Sequence, residues 1–524
     1  MTQIIINYNI DIAFVQEPYT IHYNVAGFPK GFRIFAHGGG RKRAAIVVNN
    51  SDIDVTSITQ ASHEDAILVE IRYKGSKLFG TSLYLPIDRN IDRDFKTIEN
   101  ILQLTRGVGL ILAIDSNARS KLWSDKCTNT RGRALEELII SRDLLIINEE
   151  SDIPTFETIR GHSWTDLTIC NKILAENTRG WSCGEEESCS DHKLISFRIE
   201  LGEGRGNVTQ CPGKYYYINA DKWGAFTTTL EQRLMEKFEC QVLENNTTIK
   251  DKAICHKVKQ CTDIGRVVKE FISAVTEACH STFQVSKPSK HANKQCSVPW
   301  WTRDLTILRK KTLALRRRYQ RTKADANLRQ ERRLQYLEGN RTYQAKLREE
   351  KIRSWKEFCT STDSTNHWNA VYRYAAGKLH EKPTLSTLKT SDNTYTTDTV
   401  STVDRLLDQF IPDDNEGSDK AHHKQVRRQV LEPLNTFEDV PFTKQEIYDI
   451  LYKFDPRKAP GEDALNSEIL MHTFSIFPNT TTEIYNECLR RGHFPKQWKR
   501  SVLLPIIKPG KEELHEPQKY RPLA

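Results

Sequence analysis

The sequence predicts an α/β fold for about its first two hundred residues and a mainly α-helical remainder. Short apolar runs such as Ile12–Val15 and Leu110–Ile114 have the length and composition of strands buried on both faces. Polar residues recur where these runs end. Beyond Ile199, strand-like runs give way to charged segments with helical spacing.

Taken in order, Ile12-Ala-Phe-Val15 leads into Gln16-Glu17-Pro18, which places Glu17 where a strand stops. Ala66–Tyr73 and Lys77–Leu85 read as a hairpin turning at Gly75, and its second strand delivers Tyr84. Leu110–Ile114 runs into Asp115-Ser-Asn117, two polar groups one residue apart that can point the same way. Ser163-Trp-Thr-Asp166 puts Asp166 in a short β-prone run, and Ser190-Asp191-His192 precedes an alternating strand ending near Phe197. Each also has a plain reading. Asp and Asn favour turns because their side chains cap nearby amides, Glu before Pro suits a solvated loop, and a strand Tyr suits packing. Their common position at strand boundaries favours one site, because open α/β sheets bind ligands beyond the carboxyl ends of strands.

The set has a chemical logic. Phosphodiester hydrolysis requires an anionic phosphorus centre to be neutralised, a water activated and an alkoxide stabilised. Mg²⁺ is held by one or two carboxylates plus phosphate oxygens, a role that Glu17 and Asp191 suit. His192 titrates near neutrality when unperturbed, and Asp166 can orient it. Asp115 can handle a proton, Asn117 can position water and Tyr84 can donate to a phosphate oxygen. The twelve cysteines contain no Cys-x-x-Cys pair of the kind that marks zinc sites.

These motifs and their order resemble the endonuclease/exonuclease/phosphatase superfamily. They are most similar to the apurinic-endonuclease-like nucleases of non-LTR (LINE-type) retrotransposons. Asp115-Ser-Asn-Ala-Arg-Ser120, Trp123, Thr128-Asn-Thr-Arg-Gly132, Asn148-Glu-Glu-Ser151 and Thr155-Phe156 resemble arthropod elements, including the ribosomal-DNA-targeted, telomere-targeted and jockey-like groups. The resemblance covers roughly the first two hundred residues. It implies a four-layer α/β sandwich that nicks DNA with Mg²⁺ (or Mn²⁺) and leaves a 3′-hydroxyl to prime reverse transcription. It makes Glu17 the metal ligand with Asp191 completing the metal side, and Tyr84 a phosphate contact. Asp115 becomes the group that activates water or protonates the leaving oxygen, with Asn117 orienting. His192, held by Asp166, contacts the scissile phosphate or transfers a proton. The family begins with an Asn-bearing strand well before Gln-Glu-Pro, whereas the sixteen residues before Glu17 read as containing no equivalent strand and helix. An N-terminally truncated domain is therefore expected. The alternative function is a catalytically dead, nucleic-acid-binding remnant.

Length and charge point to several domains and a polyanionic partner: 524 residues carry a net charge of +9. No apolar run approaches a membrane span, and no membrane partner is expected. Gly202–Gly206 reads as a linker; Lys222–Leu243 and Asp263–Phe283 read as amphipathic helices, and Ser286–Pro299 as an irregular connector. From Trp301 to Thr360 there are 18 Lys/Arg against 7 Asp/Glu. That segment is either a helical arm lying along phosphates or a solvated helical hairpin whose Leu and Tyr stripe packs on a neighbour.

Thr384–Ser401, rich in Ser, Thr and Asp, reads as a second linker. Thr443-Lys-Gln-Glu446 is a capping box opening a helix to about Phe454, and further helices are expected from about Ser467 and near Thr481–Arg491. Lys458-Ala-Pro-Gly-x-Asp463, Phe494-Pro-x-x-Trp498-Lys499, Ile507-Lys-Pro-Gly-Lys511 and Tyr520-Arg-Pro522 resemble the start of a retrotransposon reverse transcriptase. The resemblance stops short of the catalytic palm, so polymerisation is not expected, and this incomplete fingers fragment is expected to pack poorly. The expected domains are the nuclease (1–200), a helical linker region (201–300), the basic arm (301–375), a flexible linker (376–430) and the reverse-transcriptase fragment (431–524). DNA, with element RNA, is the expected partner, and the function class implies the nucleus.

Overall fold

In a computed structural model, residues 1–523 are described apart from 30, 159–160, 185–189, 202–215, 243–245, 286–297, 323–324, 361–383, 432–439, 456–457, 459, 462, 502 and 509–514. The Gly202–Gly206 linker and nearly all of the Ser286–Pro299 connector lie outside the described residues. The chain divides into two compact units, each assembled from separated segments. One comprises residues 1–208, 292–411 and 506–521, the other 209–291, 412–505 and 522–524.

The first unit begins with helix α1 (Thr2–Asn7), then strands β1 (Ile12–Gln16), β2 (Thr20–Ile21), β3 (Asn24–Val25), β4 (Arg33–Phe35) and β5 (Ala44–Val48). There follow β6 (Asp54–Ser57), β7 (Ala66–Tyr73), β8 (Ser76–Tyr84), α2 (Ile91–Leu104), β9 (Gly109–Asp115), α3 (Thr130–Ser141) and β10 (Leu144–Ile146). The nuclease-like part closes with β11 (Phe156–Glu157), β12 (His162–Ser163), β13 (Asp166–Asn171), α4 (Lys172–Ala175), β14 (Thr178–Cys183) and β15 (Ile195–Ile199).

Two sheets stack face to face. The smaller has the order β1-β5-β4, all antiparallel. The larger runs β10-β13-β9-β8-β7-β6, with β8 and β9 parallel because α2 makes the crossover between them. Phe35, Ile46 and Val48 of the small sheet meet Val55, Ile67, Val69 and Ile71 of the large one. The other face of the large sheet, with Leu68, Phe79, Leu110, Leu112 and Ile114, packs on Ile98 and Ile101 of α2 and Leu135, Leu138 and Ile139 of α3. Ile5 of α1 covers the outer face of the small sheet with Val15 and Val47. Helix, sheet, sheet, helix is the expected four-layer sandwich. Where no equivalent of the family's first strand and helix is expected before Glu17, residues 2–7 form a short helix, because Ile5 gains burial on that outer face.

Beyond residue 200 the described helices are α5 (Trp223–Lys237), α6 (Thr247–Lys259), α7 (Ile264–Thr282), α8 (Arg303–Arg321), α9 (Ala326–Thr360) and α10 (Thr399–Phe410). They continue with α11 (Ala421–Leu431), α12 (Lys444–Tyr452), α13 (Ser467–Ile476) and α14 (Pro478–Arg490). The capping box at Thr443 and Glu446 forms as the sequence indicates. Helices α8 and α9 make a hairpin in which Tyr319 and Tyr336 stack with ring centroids 6.4 Å apart. The hairpin belongs to the unit that holds the sandwich.

One expectation fails and a second fails in part. The Ser/Thr-rich stretch from Thr384 is not a flexible linker: Leu385–Ser386 form β16, a parallel edge strand on β6, and α10 follows. Its hydroxyls serve as buried hydrogen-bonding groups. Thr387 accepts two bonds from Thr59, and Thr399 Oγ1 donates to the buried Glu70 and lies 2.8 Å from Thr56 Oγ1. Polar composition marks a loop only when the polar groups face water. The C-terminal segment meets its expectation only in part: α12 leaves Tyr448, Ile450 and Tyr452 exposed, whereas α13 and α14 are well packed. Ile469, Phe477 and Ile484 of the α13–α14 region share one core with Phe226, Leu230, Ile254, Val268 and Val275 of α5, α6 and α7. Asp251 of α6, almost fully buried, accepts from the backbone N–H groups of Asn479 (2.9 Å) and Thr480 (2.8 Å) at the start of α14. The two amphipathic segments supply each other's missing face.

Candidate active site

Strand pairing brings most of the expected residues together. In the parallel pair β8–β9, Tyr84 stands opposite Asp115; in the antiparallel pair β9–β13, Asp115 stands opposite Asp166. Register alone therefore sets Tyr84, Asp115 and Asp166 in one row across three strands. Gln16, the last residue of β1, ties the small sheet to this row: its Nε2 donates to Ser82 Oγ and to the Ala113 carbonyl, both at 3.0 Å.

Glu17 follows in a left-handed conformation (φ 47°), with its N–H donating to the Arg43 carbonyl at 2.8 Å. That conformation costs a non-glycine residue on the order of 1 kcal/mol. It turns the chain sharply at the end of β1 and leaves the Glu17 side chain exposed. Asn117 is left-handed too (φ 47°), and its Nδ2 donates to the Leu85 carbonyl at 3.1 Å.

His192 reaches the row from the loop before β15. Its Nδ1 lies 3.0 Å from each oxygen of Asp166, and its Nε2 lies 3.8 Å from Asp115 Oδ2. The Phe156 ring packs 4.7 Å from the imidazole, and Phe156 and His192 form an isolated antiparallel bridge. Asp166 is fixed in turn, its N–H donating to Thr155 Oγ1 and its carbonyl accepting from Asn148 Nδ2. Among the described residues, Asp115, Asp166 and His192 form the one close cluster of metal-capable side chains. Asp191 stands outside it: its side chain is exposed, and its backbone carbonyl accepts from the Glu157 N–H.

Electrostatics follow from this crowding. Burial, then the neighbouring Asp166 charge, holds the Asp115 carboxyl well above the usual range. Burial opposes charge on His192, but the Asp166 hydrogen bond, aided by the charges of Asp166, Asp115 and Glu17, prevails and pushes it up to about 9. Tyr84 is raised by burial and then by Glu17 and Asp115. Glu17 thus acts electrostatically on three members of the site while itself remaining accessible. Glu17, like Asp191, stands outside the close cluster of Asp115, Asp166 and His192; an exposed carboxylate of this kind suits a hard, partly hydrated divalent cation. Asp166 and His192 satisfy each other, so they fit a positioning pair better than a ligand pair.

Sequence reasoning missed Arg43, Asp65 and Arg89. The Arg43 guanidinium lies 5.3 Å from the centroid of the Tyr84 ring and is held by both oxygens of Asp65, which also accepts from Arg89. The one signal was the basic run Arg41-Lys-Arg43 entering a strand next to Glu17 in space.

A sandwich with this row of groups defines the nuclease class, and comparison places it within that class. Residues 78–196 match the family described as endonuclease-reverse transcriptase. The chain is 30% identical to the endonuclease domain of TRAS1, a telomere-specific non-LTR retrotransposon, covering 38% of this chain and 89% of that one, with a TM-score of 0.34. It is 25% identical over 513 residues to the retrovirus-related Pol polyprotein from the type-1 retrotransposable element R1 of Bradysia coprophila, covering 95% of this chain and 48% of that protein. Similarity to the putative 115 kDa protein in element R1DM of Drosophila melanogaster is 23% identity, over 97% of this chain and 47% of that one. The chain spans about half the length of these two curated relatives. By sequence, the chain belongs to the non-LTR retrotransposon proteins with an endonuclease of the endonuclease/exonuclease/phosphatase type.

Proposed function

We propose that residues 1–200 cut one strand of target DNA with a divalent cation, Mg²⁺ or Mn²⁺, and leave a 3′-hydroxyl that primes reverse transcription of the element RNA. The observation that carries this reading is the Tyr84–Asp115–Asp166 row with His192 clamped at its end. Glu17 would hold the divalent cation, which when bound would supply charge neutralisation at the phosphate and at the departing oxygen. Asn117, held by Leu85, orients the attacking water. Asp115 takes the water proton, its raised affinity for protons matching that task. The new bond joins water oxygen to phosphorus; the bond from phosphorus to the 3′-oxygen breaks, and that oxygen takes a proton from solvent. The charged His192 and the Tyr84 hydroxyl donate to the phosphate oxygens, where negative charge grows.

Asp191, exposed beside His192 in sequence, would complete the metal side. Residues 431–524 are assigned by their motifs to the start of a reverse transcriptase, and the chain to the nucleus, where fractionation of a tagged chain checks it. The decisive product test is direct extension of the nicked DNA by a polymerase. Extension without phosphatase treatment is expected, and a 3′-phosphate end would exclude priming.

A further inference from the structure

Helix α8 has two unlike faces. Leu305, Arg309, Thr312, Arg316 and Tyr319 are buried, whereas Arg303, Lys310, Lys311, Arg317, Arg318 and Arg321 are exposed. At 3.6 residues per turn, Arg303, Lys310, Arg317 and Arg321 fall along one line, and Lys311 and Arg318 along a second about 100° further round the helix. From Arg303 to Arg317 the line runs about 21 Å. Among the described residues, none of these six cations takes part in an ion pair. The contrast with α9 is sharp, since its Arg341, Lys346 and Arg353 pair with Glu338, Glu349, Glu350 and Glu357. A solvated helix offsets its own charges; α8 carries eight Lys/Arg and one acid.

The buried face is fixed to the border of the active site. Tyr319 OH donates to Glu157 Oε1 at 3.0 Å, and Arg333 of α9 donates to the Thr158 carbonyl at 3.4 Å. Glu157 is held charged: burial opposes this, but Lys193, Tyr319 and Arg316 outweigh it. Glu157 follows Phe156, the residue packed on His192, and its N–H donates to the Asp191 carbonyl. The cation rows are therefore mounted on the same short strand that borders His192.

We propose that the exposed face of α8 binds the phosphate backbone of the duplex DNA presented to the nuclease site. The proposal deepens the nuclease reading and rests on it for the identity of the polyanion. Unpaired cations in rows fit phosphates without reading bases, so this surface adds affinity and not sequence preference. Duplex DNA is favoured over RNA because the face is anchored beside the group that meets the scissile phosphate.

The test is equilibrium binding of the full chain to a fluorescent 20-base-pair duplex in EDTA at several salt concentrations. Lys310→Gln/Arg317→Gln/Arg321→Gln should weaken binding about tenfold or more near 0.1 M salt and lower the salt slope by roughly 2.7. Lys310→Arg/Arg317→Lys/Arg321→Lys should retain wild-type affinity, and Arg341→Gln/Arg353→Gln should change it little. Unchanged duplex affinity in the Gln variant overturns the proposal. So does equal loss in the charge-conserving variant, or a loss confined to single-stranded RNA. Because binding is read without cleavage, a chain that binds through α8 yet never nicks would refute the nuclease reading alone.

Discussion

With both Asp166 oxygens 3.0 Å from its Nδ1, His192 is held in one orientation and its charged form is favoured. Its folded pKa, about 9, lies above the ordinary value. The interaction therefore contributes stability in full below about 6.5 and loses it as pH rises through about 9. In NMR titration of the metal-free chain, the His192 ring should remain charged at pH 7.5, and Asp166→Asn should return its midpoint toward 6.5. An unshifted midpoint in the variant would remove Asp166 from this role. Asp166→Asn should also lower nicking by about 10²–10⁴, with little change in duplex binding. The positions of Glu17, Asp115 and His192 at strand boundaries were legible because each flanks an apolar strand, which one-dimensional pattern exposes. Arg43 and Asp65 were not, because their relation to Tyr84 exists only once β5, β7 and β8 have paired across the two sheets.

At the scale of elements, two substitutions separate packing from chemistry. A Cβ on Gly132 in the first turn of α3 would stand 1.9 Å from the Arg119 carbonyl oxygen, within the loop that leaves Asp115. Gly132→Ala should cost about 2–4 kcal/mol in urea unfolding, whereas Gly161→Ala, with open space around it, should be near neutral. The Thr-Arg-Gly132 motif is thus explained by a close approach of backbone. Asp251→Ala leaves the α14 amides without their acceptor and should destabilise the helical unit by about 2–3 kcal/mol, read by hydrogen exchange in α6 and α14. Exchange rates unchanged from wild type would contradict the capping role. Helices with strong apolar spacing were legible, including α7, α13 and α14. The strand at Leu385 was not, because its stability comes from hydroxyls bonded to residues more than three hundred positions away.

For the whole molecule, the expected linear series of five domains differs from two units that each draw on separated segments. Sequence order exposes local periodicity but not which amphipathic face finds which, so the helices at 223–282 read as a linker when they are half of a core. The unit carrying the sandwich also carries the basic hairpin, and the nuclease account is a claim about that unit. Its most direct test is conversion of supercoiled plasmid to the relaxed form by the full chain in Mg²⁺, compared with Asp115→Ala and His192→Ala. The account predicts metal-dependent single-strand nicking, abolished by EDTA and reduced at least a hundredfold in both variants. Nicking by the wild-type chain no faster than by either variant would contradict it.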